Sequence, residues 1–164
     1  MNPRTAAVLG SILFFFLAPG TVAGLIPWWI TRWTLNGSPP PMIAVGGLII
    51  ALGLAALIAC FARFALEGLG TPAPVAPTKT LVISGLYRHV RNPMYVAVMA
   101  IILGQALAFN SAGVIAYGIV IWLAFQTFIV MYEEPTLRVA YGDPYMAYFA
   151  AVPRWIPRLK PWSA

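Results

Sequence analysis

The sequence predicts an all-α integral membrane protein, a small bundle of four transmembrane helices followed by a cytoplasmic C-terminal segment. Composition is the first reason. Of 164 residues, 61% are hydrophobic and only 9% are charged, against roughly 25% charged in an ordinary soluble domain. The second is length: the chain holds four apolar stretches comparable to the ~20 residues that cross ~30 Å of hydrocarbon. The third is charge placement, because nearly all basic residues fall on one side of those stretches. A single membrane domain over residues 1–164 follows, with no internal repeat and no room for a separate soluble nucleotide-binding unit.

The first helix covers about residues 5–30, and Pro19-Gly20 should kink or locally unwind it. The second covers about 42–66. Its Gly46, Gly47 and Gly53, with Ala51, Ala55, Ala56 and Ala59, would let a neighbouring helix come close, within the bundle or across a dimer. The third runs over about 93–109 and the fourth over about 112–132, with only Asn110-Ser111 between them, so the two form a helical hairpin. The stretch 70–80, containing Pro72, Pro74 and Pro77, reads as an extended linker.

Four crossings put both termini and the loop from Arg63 to Arg91 on one side. That side carries Arg4, Arg63, Lys79, Arg88, Arg91, Arg138, Arg154, Arg158 and Lys160, and the other carries Arg32. The asymmetry places the N- and C-termini in the cytoplasm, and the inner (plasma) membrane of a bacterial or archaeal cell is the expected location. It also accounts for the net charge of +6 without nucleic acid as a partner. One Cys and one His leave no disulfide and no conventional His/Cys zinc site, so no metal is expected.

Reactive side chains concentrate in two cytoplasmic segments. One is Ser84-Gly85-Leu86-Tyr87-Arg88-His89-Val90-Arg91-Asn92-Pro93-Met94-Tyr95; the other begins at Glu133-Glu134-Pro135 and continues through Tyr141, Tyr145, Tyr148 and Arg154 to Pro157. The hairpin should reunite them, with Arg91, Asn92 and Tyr95 beside Glu133 and Glu134. Asn92-Pro93 reads as a helix start, Asn at the cap and Pro in the first turn, and an open helix N-terminus near an arginine suits an anion. Glu133 and Glu134 sit at the expected C-terminus of the fourth helix, where the dipole disfavours negative charge. Arg91, Arg138 or a ligand amine would compensate. Asp143-Pro144 should open a final short helix on which Tyr141, Tyr145 and Tyr148 form one aromatic face, either a membrane anchor or a binding surface. Arginines, carboxylates and aromatic rings together suit an amino acid joined to a nucleoside.

Gly85-Leu86-Tyr87, Arg91-Asn92-Pro93-Met94-Tyr95, Glu133-Glu134 with Leu137, Tyr141-Gly142, Tyr145, Tyr148 and Val152-Pro153-Arg154 resemble, as an ordered set, the isoprenylcysteine carboxyl methyltransferase family. Related membrane phospholipid methyltransferases share the pattern. The resemblance covers about residues 81–158, and one position departs from it: Asn92 stands where that family most often has His. It implies an S-adenosylmethionine-dependent methyltransferase with no metal. Tyr87, His89, Arg91, Asn92, Pro93, Tyr95, Glu133, Glu134, Tyr141, Tyr145 and Tyr148 would bind the cofactor, and the C-terminal segment would act as a lid. Glu133, Glu134 and Arg154 would be the catalytic groups. A lipophilic methyl acceptor would enter from the bilayer: an isoprenylcysteine-type carboxylate, a phospholipid amine, an isoprenoid or a thiol.

Two other readings share parts of this pattern. A sterol-reductase-type enzyme would use the arginines for NADPH phosphates, but Glu133-Glu134 would repel them. The non-enzyme reading is a small transporter or scaffold subunit; a proton- or cation-coupled transporter should carry an acidic residue in mid-membrane, where this chain offers only Gln105, Gln126 and a few hydroxyls. The topology is testable by labelling in intact cells. A cysteine introduced at Gly37 should react with an impermeant reagent from outside and one at Ala76 should not; labelling at Ala76 would overturn it.

Overall fold

The computed structural model describes residues 3–35, 37–66 and 81–163, and every regular element among them is helical. The proline-rich stretch expected as a linker lies outside the described residues. Three helical stretches are long and apolar enough to cross a membrane: Val8–Thr31, Pro40–Phe64 and Ala112–Tyr141. A shorter apolar helix, Pro93–Ala108, stands among them.

The first stretch is broken where its prolines require it. Helix α1 (Pro3–Leu17) and helix α2 (Ile26–Thr31) are joined by a widened π-helical turn over Gly20–Leu25. The Ile26 N–H reaches back to the Thr21 carbonyl, so the Val22 carbonyl loses its usual helical donor. Pro27 has no N–H, so the Ala23 carbonyl loses its donor as well. In lipid each such orphan is costly, and both are satisfied from other helices. Tyr117 Oη donates to the Val22 carbonyl at 2.8 Å, and Gln105 Nε2 to the Ala23 carbonyl at 2.6 Å. Gln105 is thus a structural polar group within the bundle.

Helix α3 (Pro40–Leu66) and helix α4 (Pro93–Ala108) make the closest packing. A Cβ on Gly46 would lie 2.6 Å from the Gly104 carbonyl oxygen, and one on Gly53 would lie 2.9 Å from Ile101. Gly47 faces open space and takes no part in this contact. Helix α4 is enclosed by its neighbours, with Ala97, Val98, Ile101, Ile102 and Ala106 all buried. Asn110 turns with φ 46°, and the Ser111 hydroxyl then caps helix α5 (Ala112–Phe128) through the Val114 N–H.

The fourth expected helix continues past its predicted end. A second π-helical turn, Ile129–Glu133, leads into helix α6 (Glu134–Tyr141), so Glu133 and Glu134 do not occupy a helix C-terminus. Pro135, which has no N–H to donate, is accommodated in the first turn of α6. The one-residue widening also turns the following side chains by about 100°, and Glu134 becomes buried. The chain breaks at Gly142, with φ 56° and ψ −133°, a conformation that glycine adopts readily. Helix α7 (Asp143–Ala151) follows. Tyr141 therefore ends one helix while Tyr145 and Tyr148 lie on the next, and the single-helix aromatic face expected from their spacing is not formed.

The α3–α4 contact should be sensitive to one methyl group at its closest point. Gly46→Ala should destabilise the protein by about 1–3 kcal/mol through overpacking, read as a lowered thermal midpoint in detergent, while Gly47→Ala should not lower that midpoint.

Candidate functional site

The residues after Tyr87 and those after Val152 run side by side, held by backbone bonds. The Arg91 N–H donates to the Pro153 carbonyl, the Arg158 N–H to the His89 carbonyl and the Trp162 N–H to the Arg88 carbonyl, each at 2.9 Å. Tyr148 Oη donates to the Tyr87 carbonyl at 2.7 Å. Asn92 precedes α4 as expected, but its side chain does not cap the helix; Asn92 Nδ2 donates to the Arg154 carbonyl at 3.3 Å. This seam fixes the C-terminal segment against the start of α4.

Beneath the seam lies a cavity of about 660 Å³, within the range of about 300–1,000 Å³ typical of small-molecule sites. One end is polar and aromatic: Tyr87, Arg91, Asn92, Tyr95, Glu133, Glu134, Tyr141, Tyr145 and Tyr148 line it. The other end is apolar, with Phe14, Ala18, Pro19, Val22, Leu57, Phe61, Phe125 and Phe128 in its walls. The hairpin brings together the groups expected of it. Tyr95 Oη donates to Glu133 Oε2 at 2.9 Å, and Arg91 Nη2 lies 3.4 Å from Glu134 Oε1.

Not every expected site residue reaches this cavity. His89 lines a separate cavity, and its Nδ1 donates to the Arg158 carbonyl at 2.8 Å. Pro93 is buried in the first turn of α4 and is absent from the cavity wall. Arg154 is also absent from that wall, because it is bound to Glu134: Nε donates to Oε1 at 2.8 Å and Nη2 to Oε2 at 3.0 Å. Arg138, considered as a partner for the carboxylates, instead stacks over the Phe149 ring at 4.5 Å.

Two guanidiniums converge on one carboxylate at the polar end. Arg91 and Arg154 share the one carboxylate of Glu134, whose side chain is 8% exposed. The Arg91 side chain is 9% exposed, lies over Phe149 at 3.9 Å, and leaves Nε and Nη1 buried without partners. Burial pulls the Arg91 pKa below its ordinary value, and the Glu134 charge opposes that pull. Burial raises the Tyr145 hydroxyl, helped by Glu134, and raises Tyr148 as well, so both phenols remain neutral near pH 7. With Tyr145 and Tyr148 packed around Val152 in a core cluster, these rings are not interfacial anchors.

Two contributions were not apparent in the motifs. The kink at Ala18-Pro19 forms part of the apolar wall, and Pro19-Gly20 was its available signal. Trp155 Nε1 donates to Gln126 Oε1 at 2.8 Å, joining the tail to α5; a Trp and a Gln 29 residues apart carry no local pattern.

Residues 41–144 match the phospholipid methyltransferase family. Over 78 residues the chain is 37% identical to the protein-S-isoprenylcysteine O-methyltransferase of Schizosaccharomyces pombe, an alignment covering 47% of this chain and 33% of that protein. The chain thus spans about one third of the length of that relative.

Glu134 should matter for stability independently of any ligand. Glu134→Gln removes the charge that offsets two guanidiniums and should cost about 1–3 kcal/mol, measured by thermal unfolding in detergent. An unchanged midpoint would mean that the pair with Arg154 contributes nothing.

Proposed function

The chain belongs to the phospholipid methyltransferase family of membrane methyltransferases, and on that premise we propose that it transfers a methyl group from S-adenosylmethionine to a lipophilic acceptor. The observation that carries the cofactor assignment is Arg91. A nearly buried guanidinium with two unpartnered nitrogens in a cavity wall calls for an anion, and the carboxylate of an amino-acid moiety fits. Arg154 and Arg91 already engage Glu134, so Glu133, bonded by the uncharged Tyr95 hydroxyl, is the carboxylate assigned to the cofactor amine. Tyr87, Tyr141, Tyr145 and Tyr148 offer ring faces for the nucleoside and favourable surroundings for a sulfonium. Glu134 and Arg154 act as positioning residues.

When bound, S-adenosylmethionine supplies a methyl group on a positively charged sulfur, open to in-line attack. The protein's part is to orient and to exclude water. Arg91 and Glu133 hold the two charged ends of the amino-acid moiety. The segment after Gly142 covers the polar end, in the role of a lid. The apolar end, reaching α1 and α5, receives the acceptor from the bilayer. In this reading α4 is the fourth crossing, both termini are cytoplasmic, and the acceptor is an isoprenylcysteine-type carboxylate, a phospholipid amine, an isoprenoid or a thiol. Against a dinucleotide-dependent reductase stands the Glu133-Glu134 pair, whose carboxylates would repel its phosphates.

Calorimetric titration separates the readings. S-Adenosylmethionine should bind the purified chain and NADPH should not. Glu133→Gln should weaken cofactor binding by about 1.5–3 kcal/mol, the worth of a charge-assisted hydrogen bond. Parent-like affinity in Glu133→Gln would remove the assigned role, and binding of NADPH alone would replace the whole reading.

A further inference from the structure

A second cavity of about 470 Å³ shares the Tyr87 side chain with the first. It lies between the last turns of α3, the turn Gly85–Arg88 and the tail at Pro161. Arg63, Arg88 and the His89 imidazole line it, and none of its described lining residues is a carboxylate. We propose that this cavity is a binding site for a phosphate group, supplied by the headgroup of an anionic phospholipid.

The depth of the site favours a lipid source. Arg63 stands in the last turn of α3, at the end of the apolar span Pro40–Phe64, where headgroup phosphates meet the protein. The cavity is also built around its cations. Gly85 has φ +56°, and a Cβ there would come within 3.3 Å of Arg63 Nε, so glycine both permits the turn and admits the arginine. Arg88 Nε donates to the Trp162 carbonyl at 2.6 Å, and His89 Nδ1 to the Arg158 carbonyl at 2.8 Å. Each of these side chains is thereby oriented through one nitrogen before any anion arrives. The same two residues pair with the tail through their backbones, so an anion here supports the docked tail. The site is separate from the methyl-transfer cavity and does not depend on the cofactor assignment.

The test uses the full chain in detergent, with phosphatidylglycerol, phosphatidylcholine and inorganic phosphate as probes. Native mass spectrometry should show phosphatidylglycerol bound at least about tenfold more tightly than phosphatidylcholine. Arg63→Gln and Arg88→Gln should each weaken phosphatidylglycerol binding by about tenfold, the loss of one charge-assisted hydrogen bond, and Arg32→Gln should not. Inorganic phosphate that displaces phosphatidylglycerol supports the site with phosphate alone sufficient; failure to displace it supports the lipid as the ligand. Arg63 is exposed, so Arg63→Gln decides the matter if Arg88→Gln loses its tail and aggregates. Equal binding of the two lipids, or parent-like affinity in Arg63→Gln, overturns the proposal. S-Adenosylmethionine titration of the same preparations reports on the first cavity separately.

Discussion

Glu134 lies between two guanidinium groups, and the geometry of the polar cavity depends on that arrangement. Its carboxylate receives Arg154 from the tail through two nitrogens and Arg91 from the turn before α4. An isolated buried charge costs several kcal/mol, so neither Glu134 nor Arg91 is stable there alone. Together the three leave one net positive charge, located at Arg91, whose Nε and Nη1 are still unpartnered. A structural ion cluster thereby produces an anion-binding group as its remainder. The neighbouring Glu133 is held differently, by a phenol.

That cluster can exist only because the helices around it are irregular. A straight continuation of α5 would carry Glu134 to a different face, and the π-helical turn at Ile129–Glu133 reorients it. At the other end of the bundle, Pro19 and Pro27 bracket a similar turn, and the carbonyls it releases are taken by Tyr117 and Gln105. Both irregularities touch the cavity: Ala18, Pro19 and Val22 line it on one side, Glu133 and Glu134 on the other. Prolines that would be defects in an isolated helix set the shape of the site.

The two-ended character of the cavity suits the proposed transfer from a charged, water-soluble donor to an acceptor from the membrane. Its polar groups come from the turn before α4, the first turn of α4 and the stretch from the second π-helical turn through α7, and its apolar walls largely from α1, α3 and α5. The backbone seam between residues 88–91 and 153–162 closes the polar end. Tyr87 stands at the junction: its carbonyl anchors the tail through Tyr148, and its ring is shared between the two cavities.

Composition alone determined the solvent, since this much apolar surface has no aqueous fold, and apolar length located the first three apolar stretches and the start of the fourth to within a few residues. Local chemistry also placed Asn110-Ser111 in the hairpin and brought Arg91 and Tyr95 to the acidic pair, because two antiparallel helices of similar length must end together. The division of labour between Glu133 and Glu134 was decided only by tertiary structure. Adjacent identical residues have the same local signal, and a π-helical turn plus an arginine 20 residues away separates them. His89 and Arg154 were drawn from the cavity wall for the same reason. Their partners, a tail carbonyl and a buried carboxylate, are distant in sequence, and a hydrogen bond between distant segments leaves no periodicity to read.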